Sequence, residues 1–179
     1  QDSFSDARTL NTNLDINIAD MDADGNIYFV VYGYMNRGEH EGKNGMSLYY
    51  YSAENMTTQE LFFVECDESY DIMKKETGRF TYYNAQTNKF YYLLDETLYE
   101  VSLADMTQTA LVEGIPSAEY FVSANRKLVA YPNNAEDEQV TAITIQNFET
   151  GETYEKTCAS GDLLLALGFV ENDLIYGCA

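Results

Sequence analysis

Four times along this chain a polar turn opens directly into an apolar strand. The copies are Asp24-Gly25-Asn26-Ile27-Tyr28-Phe29, Thr87-Asn88-Lys89-Phe90-Tyr91-Tyr92, Asn125-Arg126-Lys127-Leu128-Val129-Ala130 and Glu171-Asn172-Asp173-Leu174-Ile175-Tyr176. Between them runs a second unit of strand, polar turn and strand, at 48–65, 98–114 and 143–159. Successive copies of this second unit begin 50 and then 45 residues apart, close to the ~40–50-residue period of propeller blades. Each period supplies one four-stranded sheet, which cannot bury both of its faces alone; neighbours stacked about an axis cover each other. The expected fold is therefore all-β, a β-propeller-like array of four-stranded antiparallel blades. Strands fall near 14–65, 77–113 and 118–157, with two more near 162–177, making about three and a half blades. A closed propeller needs at least about four. Two arrangements follow: half of a longer propeller, or a last strand pair that joins the N-terminal segment.

Local patterns support strands. Alternation over 26–32, 89–94 and 140–145 reads as half-buried β structure punctuated by turns. The apolar run Leu163 to Leu167 is short and flanked by Gly161 and Gly168, so it also reads as strand. Only 68–76 (ESYDIMKKE) reads as a short helix. The aromatic mix of 16 Tyr, 9 Phe and no Trp suits pleated surfaces. At 45% apolar residues the chain can build a core. Its 179 residues make one domain: 14–179 a single propeller-like unit, with 1–13 a flexible polar tether. Such a tether lies behind a removed signal or lipid anchor in a bacterial envelope protein; an internal fragment of a larger propeller would look the same.

The stretch SANRKLVAY at Ser123 to Tyr131 and the turn NFETGETYE at Asn147 to Glu155 resemble the WD40-like and TolB-like propeller repeats of bacterial envelope proteins. The resemblance is good over 77–179 and weaker over 14–65. The Gly-His and Trp-Asp marks of true WD40 blades are missing. The acidic, Tyr-rich, Trp-free style is also similar to secreted lipoproteins of Gram-positive bacteria. The resemblance implies a fold, an extracellular or cell-surface setting and a habit of binding. It implies no reaction.

Charge narrows the partners. With 30 acidic and 10 basic residues the net charge is −20, which repels nucleic-acid phosphates and anionic lipid headgroups. No apolar run reaches the ~20 residues of a membrane span, so this segment is not expected to insert. Catalysis has little support: no Ser/His/Asp set, GxSxG, HExxH or P-loop occurs. A carboxylate-dependent glycan-active enzyme therefore ranks third. A scaffold or sensor propeller with no ligand of its own ranks second.

The expected leading role is non-catalytic recognition of a protein or glycan through the loop 33–46. That loop holds the sole histidine, two of the ten basic residues and four of the eleven glycines, and has no net charge of its own. Loops held by a rigid scaffold carry function disproportionately. The expected binding residues are Tyr34, Arg37, His40 and Lys43, with Tyr49 and Tyr51 at the base. Tyrosine offers an apolar ring with a polar tip. Consecutive tyrosines on a strand point to opposite faces, so part of the set packs between blades.

A second candidate is Asp20-Met21-Asp22-Ala23-Asp24-Gly25-Asn26. Asp20, Asp22 and Asp24 alternate as in the first half of a calcium loop. The second half departs from that pattern, with Tyr28 and Val31 where acidic ligands would stand. The same residues also suit a tight hairpin turn, so calcium is the one cofactor considered and no other is expected. The three cysteines, Cys66, Cys158 and Cys178, show no metal spacing. Each could be a buried small hydrophobe, and a Cys158–Cys178 bridge is open.

Overall fold

The computed structural model describes residues 12–133, 140–159 and 161–179. The first sheet contains β1 (Leu14–Met21), β2 (Ile27–Tyr34), β3 (Asn44–Ser52) and β4 (Thr57–Glu65). The second contains β5 (Thr81–Asn84), β6 (Lys89–Leu94), β7 (Thr97–Ser102) and β8 (Thr107–Val112). The third contains β9 (Phe121–Val122), β10 (Leu128–Pro132), β11 (Ala142–Asn147) and β12 (Thr153–Thr157). A two-stranded sheet follows, β13 (Leu164–Val170) and β14 (Asp173–Cys178). Every sheet is an antiparallel meander whose strands pair in chain order. The last two strands pair with each other, and β13 packs beside β9 and β11. Of the expected tether, residues 1–11 lie outside the described residues. The carbonyl of Asn13 accepts a hydrogen bond from the Tyr34 amide at 2.8 Å.

The turns between strands explain the spacing of the polar clusters. Asp95 and Glu96 both have positive φ, 50° and 53°, in the two-residue turn between β6 and β7. Two successive positive φ values give a primed turn, whose twist matches the flanking strands. The short helix α1 (Tyr70–Lys75) joins the first sheet to the second. Its N-cap Ser69 accepts from the Ile72 amide, and Lys74 and Lys75 occupy the last turn, where cations suit the helix dipole.

Three cores join the sheets in series. Val30, Tyr32, Met46 and Leu48 of the first sheet meet Phe90 and Tyr92 of the second. From its other face the second sheet sends Tyr91 and Leu93 against Val129 and Tyr131 of the third. The third then sends Ala130, Ile143 and Ile145 against Leu164. The reading of 89–94 as alternating is thereby corrected. Residues Phe90 to Leu94 are all buried, because a sheet packed on both sides needs apolar residues at every position. Many of the tyrosines serve this packing: Tyr32, Tyr91, Tyr92, Tyr120 and Tyr131 are buried, and Tyr28 stacks on Tyr83 at 3.9 Å.

Polar contacts show that the sheets fan about a line. β1 packs beside β5 and β9 beside β13, so at these two junctions first strands are neighbours. Buried Asn17 in β1 donates to the Thr77 carbonyl and to the Thr81 hydroxyl, both at 3.1 Å. Asn84 in β5 donates to the Phe148 carbonyl at 2.9 Å. Arg126, in the turn after β9, reaches across to donate to the Ile18 carbonyl of β1 at 2.6 Å.

Glu76, at the end of α1, is fully buried. One carboxylate oxygen accepts from the Glu96 amide at 3.1 Å; the other has no hydrogen-bond partner among the described residues. Burial pushes its pKa up, and the nearby Glu68 and Asp95 carboxylates push the same way. The folded protein therefore holds a proton that the unfolded chain has already released. The stability this contributes is complete below the unfolded glutamate pKa, about 4.3, and is lost as pH rises toward the raised folded value. Glu76→Gln should flatten that limb. Urea midpoints of the variant are expected to exceed those of the parent near neutral pH and to converge with them in acid. Parallel pH profiles would refute the buried-acid account.

Candidate functional site

The expected recognition loop spans residues 35–43 between β2 and β3. It closes on itself through four backbone bonds: Met35 amide to Lys43 carbonyl, Gly42 to Met35, Glu41 to Gly38 and Lys43 to His40. Its side chains then tie it to β4. His40 Nε2 lies 2.7 Å from Glu60 Oε1, and the Tyr49 hydroxyl donates to Glu60 Oε2 at 2.8 Å. Lys43 Nζ donates to Glu65 Oε2 at 2.7 Å. The His40 ring lies flat on Phe63, centroids 3.9 Å apart.

Glu60 and Phe63 are three residues apart, a spacing that normally puts two strand residues on opposite faces. A register shift in the β3–β4 ladder resolves this. Leu48 pairs with Phe62 but Tyr49 pairs with Glu60, leaving Leu61 as the extra residue. The bulge returns Glu60 to the Phe63 face, the outer face of the first sheet, facing away from the second. Gly45 completes the arrangement: a Cβ there would meet the Phe63 ring at 2.7 Å and the Val64 carbonyl oxygen at 2.2 Å. Phe63 thus lies directly over the β3 backbone, with His40 above it.

The expected residues divide. His40, Lys43 and Tyr49 come together. Tyr51 shares the outer face with Tyr49, which stacks on Phe29 at 5.3 Å. Tyr34 lies on the opposite face of the sheet, in line with buried Tyr32. Arg37 is exposed at the loop tip. Burial, and then the hydrogen bond to Glu60, raise the Tyr49 pKa, so Tyr49 is a neutral donor at physiological pH. The sequence reading missed Glu60 and Phe63, because the bulge at Leu61 leaves no mark in the residue pattern. Glu60→Ala should free the loop, at a cost of about 1–3 kcal/mol for a charge-assisted pair of bonds. Limited proteolysis is expected to cut faster within 36–42, and unchanged cutting would argue that Glu60 holds nothing.

The acidic motif sits at the other end of the same sheet, in the β1–β2 turn. Asp22 Oδ1 accepts from the Asp24 and Asn26 amides at 3.0 and 2.9 Å, and Oδ2 from the Asn26 side chain at 2.9 Å. These bonds hold the Asp22 carboxyl below its ordinary pKa. Asp20 is paired with Tyr28 in the ladder. Among the described residues no group of three or more His, Cys, Asp or Glu side chains is placed to hold a metal ion. Asp22 thereby makes an Asx-type turn. Beside it lies an open hollow of about 730 Å³ lined in part by Asp24, Asn26, Tyr50 and Glu54. It stands at the opposite end of the sheet from the loop, so the two features cannot form one site.

Cys158 and Cys178 form a disulfide, while Cys66 is free and buried. Burial raises the Cys66 thiol pKa, which makes it a poor nucleophile. No helix among the described residues is long and apolar enough to cross a membrane.

No protein-family model matches the chain, and no curated protein matches it. A solved structure described as "Crystal structure of the tricorn protease" is similar over 83% of this chain, at 14% identity and a TM-score of 0.43. The chain spans 13% of that structure's length. A likeness this distant transfers no activity, and the fold described above stands on its own strands and contacts: an all-β chain of stacked antiparallel sheets.

Proposed function

We propose that this chain is a propeller-like recognition domain of a secreted or surface-anchored bacterial protein, and that it binds a protein or glycan through the 35–43 loop. One observation carries the reading. The loop is clamped to β4 by His40–Glu60–Tyr49 and by Lys43–Glu65, and Arg37 is left exposed at its tip. A pre-ordered loop loses little conformational freedom on binding. A guanidinium offers a planar fork of donors for carboxylate or hydroxyl-rich partners. The WD40-like and TolB-like resemblance favours the same role. The disulfide favours an oxidising compartment. On this reading His40, Tyr49 and Lys43 position the loop, Arg37 makes contact, and Tyr51 extends the apolar base.

The test is capture by the immobilised chain from panels of bacterial cell-wall glycans and of extracellular proteins. Arg37→Ala should weaken capture at least about tenfold with no change in melting temperature. Equal capture by parent and variant, or none by the parent, would refute the proposal. A scaffold with no ligand of its own is the second reading, favoured by the apolar faces at the two ends of the sheet series.

A further inference from the structure

The inner two sheets are covered on both faces; the end sheets are covered on one. β2 reads IYFVVY over 27–32, apolar on both faces, as a sheet sandwiched on both sides requires. Its even-numbered side chains, Val30 and Tyr32, meet the second sheet. The outer face instead shows β1's Leu14, Ile16 and Ile18 to solvent, Ile16 at 61% exposure. At the other end β13–β14 commits Leu164, Ala166, Phe169 and Leu174 to the third sheet. Its other face exposes Leu165, Leu167, Val170 and Ile175, Leu165 at 66%. Contiguous exposed apolar faces of this kind mark interaction surfaces.

We infer that the two end faces cover each other between two copies of this chain, the last sheet of one copy packing on the first sheet of the other, head to tail. Three observations point to a second copy. The contact would continue the series of sheet-on-sheet interfaces already present within the chain. The widths agree: the 35–43 loop, through His40 on Phe63 and Glu60, occupies the loop-side part of the β3–β4 half of the outer face. The β1 strip stays open, and the last sheet has only two strands to lay on it. Closure is also satisfied. The described strands form three four-stranded sheets and one two-stranded sheet per copy, so two copies bring six four-stranded and two two-stranded sheets, a number within the ~4–8 blades of closed rings. A head-to-tail contact made twice in this way is a closed two-fold dimer. The inference does not draw on ligand recognition, since the β1 strip contains no residue of the 35–43 loop.

Sedimentation velocity on the full chain tests it, across protein concentration and at low and high salt. The expected species is a dimer, stronger at high salt because salt screens the repulsion between two chains of net charge −20. Ile16→Glu and Leu165→Glu place a charge on opposite ends of the array. Both residues are exposed in the single chain, so both variants should fold, with the parent's far-ultraviolet circular dichroism, and melt like the parent at concentrations where the parent is monomeric. Each alone should dimerise at least about tenfold more weakly, because a charge would be buried in the contact. Mixed together, they should form a heterodimer through the one junction that neither substitution touches. A monomer at every concentration and salt would overturn the inference. So would one variant staying dimeric, or a mixture that fails to associate.

Discussion

Phe90→Ala is expected to lower the unfolding free energy by about 3–5 kcal/mol, the range for truncating a buried phenylalanine. Phe90 is fully buried at the middle of the core between the first and second sheets. Its ring lies 6.2 Å from Phe62 of β4 and 5.9 Å from Tyr92. It pairs across the ladder with Tyr83 and Val101, so the backbone on both sides is held and the cavity cannot close by local collapse. The variant therefore loses both the transfer free energy of the ring and the contacts around the void. Urea denaturation should show a lower midpoint with an unchanged slope. A loss below about 1 kcal/mol would mean that the first two sheets do not share this core.

Breaking the disulfide should cost about 3 kcal/mol, the loop-closure value for cysteines 20 residues apart. The bond joins the end of β12 to the end of β14, and so ties the two-stranded sheet to the third sheet. A two-stranded ribbon is marginal by itself, and this one otherwise rests on a small core around Leu164. Hydrogen exchange after reduction, or in a Cys158→Ser/Cys178→Ser variant, should accelerate first in β13 and β14. Alkylation in denaturant should label one thiol before reduction and three after it. Identical melts with and without reductant would refute the stabilising role.

Much of the fold was legible because turns and strands are local. Asp24-Gly25, Asn88 and Asn125 announce chain reversals through their own turn preferences, and the apolar runs behind them read as β2, β6 and β10. The short helix was legible from its N-cap serine and basic last turn. The run Phe90 to Leu94 was misread as half-buried, because two-sided burial is a property of its neighbours. The candidate site was legible only in part. The loop stood out by composition, and His40, Lys43 and Tyr49 do converge there. Tyr34 falls on the other face, and the partners Glu60 and Phe63 went unseen because a one-residue bulge reverses which side chains meet. The Cys158–Cys178 bridge stood as one of two readings of those cysteines, because residues 20 apart meet only after two separate sheets have packed.

The sequence by itself determined the all-β class, the repeat and the acidic surface, since each follows from short-range preference and from composition. Only the tertiary structure decided which faces are covered. It paired Cys158 with Cys178, bound Arg126 to Ile18 across the fan, and left β1 and β13 open at the two ends. Burial is a relation between segments distant in the chain, and no local pattern encodes it.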